Sequence, residues 1–267
     1  MASARRDAFT AVRCVLVALL VIATGHARGE EAADSRAEGG RGDLESQLSE
    51  LEPRAEAGDA AAQMAIYERQ LMSFLRSGGD GDDRASAIAW LERAADQDHP
   101  PAVAALAGHY LAGELGLDVD RERGLDLMRR AADVLGDASA LRAMGGFHLE
   151  GRYGLRRDSD RARTYLVRAA RAGSARAFLD LGTLYRAPDR PRSDLAVSYM
   201  WYAALREFLF ARNDRVRSPE EVERDLVLLE EANEAMAHLD FVLSFGQTED
   251  ARSRSRQCVA SGLEACD

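Results

Sequence analysis

The chain has 267 residues and a formal net charge of −10, and these charges are unevenly distributed. Residues 30–59 and 218–250 each contain 10 acids, whereas residues 121–176 contain 13 arginines against 7 acids. All 35 basic residues are arginine, so the composition excludes the Ser-x-x-Lys nucleophile found in some hydrolases.

Residues 1–27 have the pattern of an export signal. Arginines near the start precede an uncharged run from Cys14 to Gly25, and Gly25-His26-Ala27 offers the small residues of a cleavage site. This run is shorter than the roughly 20 apolar residues that a membrane span needs. We therefore expect an exported protein, periplasmic or secreted, with no stable membrane span after cleavage. Retention of the segment as an uncleaved anchor is the alternative.

The next segments predict a linker followed by a half-repeat. Residues 28–42 are rich in Gly, Ala, Glu and Arg without periodicity, which is typical of a flexible linker. Leu44, Leu48 and Leu51 then fall on one helical face, and a glycine suited to a helix C-cap follows at position 58. We predict an N-terminal half-repeat over 43–57 that covers the open end of a stack.

An Ala-Ala pair recurs at intervals of roughly 34–38 residues along the middle of the chain, and a period in this range is typical of a solenoid. The four pairs are Ala94-Ala95, Ala131-Ala132, Ala169-Ala170 and Ala203-Ala204. Alanine suits these positions because helices that cross closely leave no room for larger side chains. We predict an all-α chain: a right-handed α/α solenoid of about four two-helix repeats over 43–210.

Each repeat is predicted to contain two antiparallel helices, A and B. In the second repeat, helix A covers 101–113, a turn covers 114–120 and helix B covers 121–135. Asp120 and Asp158 stand at matching positions before helix B, where a short acceptor side chain caps the helix. The corresponding caps of the outer repeats are Asp82-Asp83 and Ser193, and the turns after helix B contain Gly58, Asp98, Gly136 and Gly173.

Residues 211–267 differ from the repeats and are predicted to form a C-terminal helical cap. Ser218-Pro219-Glu220-Glu221 is a capping box with proline at the first helical position. A helix of about 25 residues is expected to follow, with a final short helix from Thr248 to Cys258. One apolar stripe of the long helix is predicted to contain Val222, Leu226, Leu229, Met236, Leu239 and Leu243.

Two cysteines remain once the signal segment, with Cys14, is removed. Cys258 and Cys266 form an even pair in an oxidising compartment, which favours a disulfide closing a short loop over two free thiols.

The repeat pattern resembles a known family. Ala177 to Tyr185 reads Ala-x-x-x-Leu-Gly-x-x-Tyr, and Trp90 and Tyr199 each stand four residues before an Ala-Ala pair. Over roughly 55–205 this resembles the Sel-one-like repeats, relatives of tetratricopeptide repeats. The resemblance implies an α/α solenoid adaptor that binds other proteins, often in the envelope assembly or signalling of Gram-negative bacteria. It supplies no catalytic residues.

No motif predicts a catalytic or cofactor site. His109 and His148 lie at near-equivalent places on successive A helices, with Glu114 and Glu150 nearby, but no further ligand has metal-binding spacing. Structural roles are therefore favoured. The segment Asp80-Gly81-Asp82-Asp83 lacks the alternating ligands of a calcium loop and predicts a turn with a helix cap.

The arginine-rich middle is the remaining candidate surface, either as a solvated helix face, which we favour, or as a site for an anionic partner. Its candidate residues are Arg121, Arg123, Arg129, Arg130, Arg152, Arg156, Arg157, Arg161, Arg163 and Arg168. Few aromatic residues interleave with them, and export argues against nucleic acid.

Our favoured hypothesis is an exported, non-enzymatic adaptor of the cell envelope, without a cofactor or a metal, that binds a protein partner on the solenoid surface. An acidic-polysaccharide scaffold is the alternative, and a hydrolase is a third hypothesis without a supporting motif.

Overall fold

The computed structural model describes residues 50–76, 83–187, 194–212 and 218–266, and every regular element in these ranges is helical. They divide into two compact units. Unit 1 contains the described residues up to 99 and residues 112–120, and unit 2 contains residues 100–111 and those from 121 onward.

Several predicted features lie outside the described residues. These are the signal over 1–27, the linker over 28–42, the start of the half-repeat, the aspartates at 80 and 82, and the Ser193 cap.

The described residues of unit 1 contain three helices: α1 over residues 50–56, α2 over Ala60–Arg76 and α3 over Asp83–Asp96, with α2 packed on α3. Ala55, Ala62 and Ile66 form a small core, against which Leu51 and Trp90 pack. Of the three predicted leucines only Leu51 lies in the described residues, and it packs on this core from α1.

The remaining helices contain the later repeats and the C-terminal segment. They are α4 (Pro100–Ala112), α5 (Arg121–Arg129, continued by a π-helical turn over Arg130–Val134), α6 (Ala138–Glu150), α7 (Ser159–Arg171), α8 (Ala175–Tyr185), α9 (Asp194–Ala211), α10 (Pro219–Asp240) and α11 (Phe245–Ala260). The helices α4 and α5 match the predicted ranges 101–113 and 121–135 closely. The chain is an α/α solenoid, as its period predicts.

The turns between helices use the predicted residues. The carboxylate of Asp158 accepts hydrogen bonds from the backbone amides of Asp160 and Arg161 and caps α7. Gly136 and Gly173, which end the B helices, have φ angles of +70° and +96°. Only glycine adopts this left-handed region without steric cost, so the backbone can reverse there.

The Ala-Ala pairs lie in the core, which confirms the packing prediction. None of the eight alanines is more than 5% exposed. Neighbouring glycines show how closely the helices approach, because a Cβ placed on Gly145 would lie 2.8 Å from the Leu166 side chain. On Gly182 a Cβ would lie 2.5 Å from the Tyr202 ring. These distances are shorter than van der Waals contact, so only glycine fits.

Gly145→Ala and Gly146→Ala are expected to change stability in opposite directions. The first should lower the free energy of unfolding by about 1–3 kcal/mol, because the new Cβ would lie 2.8 Å from the buried Leu166 side chain and force it to shift. The second should raise it by up to about 1 kcal/mol, because nothing lies within 4 Å and alanine is the better helix former. Urea denaturation measures both, and equal stabilities of the two variants would contradict the packing described here.

The long C-terminal helix has the predicted start but a different buried face. Ser218 and Glu221 form the capping box, and α10 packs on α8 and α9. Its buried residues are Ala232, Met236 and Leu239. Leu226, which we placed in the same stripe, is 59% exposed. At 3.6 residues per turn it lies roughly 140° around the axis from Leu239, so the prediction of a single stripe is wrong at this residue.

The last helix begins earlier than predicted. Ser244 caps α11 and forms a second capping box with Gln247, so the helix begins at Phe245 rather than at Thr248. The sequence contained this signal as Ser244-x-x-Gln247. After α11, Cys258 and Cys266 are joined by a disulfide with their Cα atoms 4.6 Å apart.

Candidate functional site

A polar network on α7 ties this helix to the end of helix B of the preceding repeat. Tyr165 Oη donates a hydrogen bond to Asp133 Oδ2 at 2.9 Å. Arg168 donates to Asp133 Oδ1 at 2.7 Å and to the Ala132 carbonyl at 3.0 Å. Arg168, one of the candidate arginines, is therefore half-buried and holds two successive repeats together.

His148 belongs to the same region and has a packing role. Its ring stacks on Tyr165 with the centroids 5.6 Å apart, and it is 5% exposed. Burial, and then the hydrogen bond to Asp133, raise the pKa of Tyr165. His109 is also buried. Among the described residues, no group of three or more His, Cys, Asp or Glu side chains could hold a metal ion.

Other candidate arginines pair with acids of their own helix or turn. Arg129 bonds Asp126 at 3.0 Å and Arg161 lies 3.5 Å from Asp158. Arg152 forms an ion pair with Glu150. Such exposed pairs contribute about 0–1 kcal/mol each, but they reduce the positive charge available to a polyanion.

The other members of the arginine set are mostly exposed. The Arg123 guanidinium lies 4.3 Å from the centre of the Tyr110 ring. Arg163 is half-buried, whereas Arg121, Arg130, Arg156 and Arg157 are exposed. The structure therefore brings together only part of this set, around α7.

A different surface stands out for its apolar exposure. Phe241, Val242 and Phe245, here named the apolar corner, lie where α10 ends and α11 begins, and they are 90%, 52% and 80% exposed. Scattered exposed apolar residues are ordinary, but adjacent large ones mark interaction sites. Two phenylalanines within five residues are such a group.

Exposed acidic residues stand on both helices on either side of the apolar corner in the sequence. Glu234 precedes it on α10, and Asp250 follows it on α11; both are exposed. The negative charge of Glu249 is compensated by Arg252, which donates a hydrogen bond to its carboxylate. Sequence reasoning missed this surface because we interpreted residues 211–267 only as a cap. The signal was present as Phe241-Val242-x-x-Phe245, placed around a capping box.

None of the helices in the described ranges combines the length and the apolar character needed to cross a membrane.

A family model described as Sel1 repeat matches residues 58–99, 100–133 and 138–174. The match ends before α8 and α9, although their Ala203-Ala204 pair is buried like the others. No curated protein matches the chain.

Two solved structures are similar to the chain. A Sel1 repeat protein from Oxalobacter formigenes is 30% identical over 49% of this chain and 93% of its own, with a TM-score of 0.39. A protective antigen present in uropathogenic Escherichia coli strains and displaying an SLR fold is 24% identical over 80% of this chain and 57% of its own, with a TM-score of 0.33.

Proposed function

We propose, from the premise that this chain belongs to the Sel1 repeat family, that it is a non-enzymatic scaffold that binds a partner protein. Repeats of this family commonly serve as protein-interaction scaffolds. In the repeats described, small residues are used for helix packing and the α7 network joins one repeat to the next.

The apolar corner is the surface on which we propose that the partner binds. Burial of an exposed phenylalanine contributes roughly 1.5–3 kcal/mol, and the corner offers two of them beside an acidic helix. Residues 218–250 contain 10 acids and one arginine. Charge complementarity therefore favours an amphipathic partner segment whose apolar side chains are flanked by Arg or Lys.

The test uses a synthetic amphipathic peptide with one leucine-rich face and arginine flanks, and a second peptide with glutamate flanks. We expect the basic peptide to bind more tightly in calorimetry. The double variant Phe241→Ser and Phe245→Ser should weaken that binding at least tenfold, because it removes the apolar contact. Leu226→Ser is the matched control, since Leu226 is also exposed on α10 but lies outside the corner.

Equal binding by the double variant and the wild-type protein would contradict this docking surface. Binding of a polygalacturonate polymer that falls steeply with salt, and that survives the double variant, would instead favour the polysaccharide scaffold, since polyanion contacts are screened by ions.

We also propose that the protein is exported through residues 1–27. Mass spectrometry of the protein from its native host is expected to find Arg28 as the first residue. Ala27→Phe should block processing and leave the precursor, because the residue before the cleavage site must be small. Wild-type protein that starts at Met1 or Ala2 and stays in the cytoplasm would contradict export.

A further inference from the structure

The C-terminal turn over residues 261–266 is closed on α11 by a disulfide. Cys258 lies in the last turn of that helix and is bonded to Cys266. Both cysteines are buried. The turn stands beside two other helices, because its residues line one cleft together with side chains of α7 and with Trp201 of α9.

Several hydrogen bonds of this turn run back to the end of α11. The Leu263 amide donates to the Cys258 carbonyl at 2.8 Å and the Gly262 amide to the Val259 carbonyl at 3.1 Å, which ends the helix in a Schellman motif. The Ser261 hydroxyl accepts hydrogen bonds at 3.1 and 2.9 Å from two backbone amides further along the turn. These bonds shape the turn without attaching it to a neighbouring helix.

Leu263 adopts a backbone conformation that a leucine disfavours. Its φ angle is +68°, directly after Gly262 at +65°. A residue with a Cβ is crowded in this left-handed region, so the surrounding structure must hold it there. The Leu263 side chain is 5% exposed, and its carbonyl accepts a hydrogen bond from Arg171 Nη2 of α7 at 2.7 Å. Favourable burial and an unfavourable backbone therefore oppose each other, which makes the seating of the turn sensitive to a further constraint.

The disulfide supplies such a constraint. A bond between residues eight positions apart removes many open conformations of the chain between them, and so favours the closed turn. Without this bond, the turn is held by the hydrogen bonds and the burial described above.

The helix α11 has its own attachments and does not depend on the disulfide. It packs on α9, and Arg252 donates a hydrogen bond to Tyr199 Oη. Its buried residues share one face and are Thr248, Ala251, Ser255 and Cys258. Breaking the disulfide should therefore release the turn and leave α11 in place.

We propose that the Cys258–Cys266 disulfide is a redox-dependent latch: its formation seats the C-terminal turn on α7, and in the reduced chain this turn is released. The bond forms by exchange with an external disulfide. The two thiols lose two electrons and two protons as their Sγ–Sγ bond forms, and the external disulfide takes these up and becomes two thiols. That the latch closes in an oxidising compartment rests on the proposed export, whereas the latch itself rests on the contacts of the turn.

The test follows backbone hydrogen exchange by mass spectrometry. It uses the full chain with Cys14→Ser, which leaves Cys258 and Cys266 as its only cysteines. Reduced protein is purified in dithiothreitol, and half of it is then oxidised with glutathione disulfide. We expect the amides of residues 261–266 to exchange at least tenfold faster in the reduced sample. The amides of α9 and of residues 248–255 should exchange at equal rates in both samples.

Two sets of variants control this comparison. The double variant Cys258→Ala and Cys266→Ala should exchange like the reduced protein, with or without glutathione disulfide. In the oxidised protein Arg171→Gln should speed the exchange of the turn, because it removes the hydrogen bond to α7. Arg206→Gln is the matched control, an exposed arginine of α9 outside the cleft, and it should change nothing.

Three results would overturn the latch. Equal exchange of the turn in both redox states would mean that its non-covalent contacts are sufficient. Faster exchange throughout α9 and α11 in the reduced sample would mean that the disulfide supports the whole cap. Failure of glutathione disulfide to join the two cysteines in the folded protein would exclude a latch that closes by oxidation.

The basic peptide that tests the apolar corner is titrated into both samples. Phe245 and Cys258 are roughly 20 Å apart along α11, so the redox state of the turn should not change the binding of this peptide. If the peptide binds and the exchange of the turn is the same in both states, the latch fails while the scaffold function stands.

Discussion

Removal of the chain after Asn213 is expected to leave a protein that aggregates or melts at a much lower temperature. This truncation removes α10 and α11, which both pack on α9. Met236, Leu239 and Leu263 would be lost from the core, and each such side chain contributes roughly 1.5–3 kcal/mol by its burial. The free energy of unfolding of a typical domain is only about 5–15 kcal/mol, so losing these side chains removes a large share of its stability.

Polar contacts attach the same segment to the repeats. Arg252 donates a hydrogen bond to Tyr199 Oη, and Arg176 pairs with Glu231 at 3.1 Å. Tyr199 is 1% exposed and stands four residues before the last Ala-Ala pair, where Tyr165 stands in the preceding repeat. The arginine of α11 thus bonds the tyrosine of the last repeat, much as Asp133 bonds Tyr165.

Size-exclusion chromatography and thermal melting check this expectation. The double variant Phe241→Ser and Phe245→Ser is the control, because it keeps both helices and changes only exposed residues. It should stay monomeric with a nearly unchanged melting temperature. If the truncated protein behaved in the same way, residues 211–267 would be better described as an arm for partner binding than as a cap.

Leu239→Ala is expected to lower the free energy of unfolding by about 2–5 kcal/mol. The Leu239 side chain is 3% exposed on the face of α10 that packs against α8 and α9, so its removal leaves a cavity. Leu226→Ala is the matched control on the same helix. With Leu226 59% exposed, its substitution should change stability by no more than about 0.5 kcal/mol.

Urea denaturation of the two variants measures the difference directly. Equal losses of stability would mean that α10 is rotated relative to its position in the structure, with both leucines inside, as the predicted stripe had them. A loss at Leu239 alone would establish the face on which the helix is buried.

The sequence by itself determined the repeating part of this protein. The Ala-Ala pairs recur because each repeat packs on its neighbour in the same way, so one packing constraint appears in the sequence several times. The cap at Asp158, the turn glycines and the Ser218 capping box were equally predictable, because backbone hydrogen bonds at helix ends are satisfied by residues a few positions away.

Only the tertiary structure decided which side chains of the C-terminal segment are exposed and which are buried. The exposure of Leu226 depends on how α10 is rotated about its axis against α8 and α9. The apolar residues of α10 have mixed spacing, so the sequence does not define this rotation. The hydrogen bond from Arg171 to the Leu263 carbonyl requires α7 and the C-terminal turn to meet, although the two residues are 92 positions apart. No local rule places such distant segments together, because their meeting is set by the sum of all helix packings along the chain. Local chemistry and period therefore determined the helices and repeats, and the packing of the whole chain determined which side chains are available for a partner.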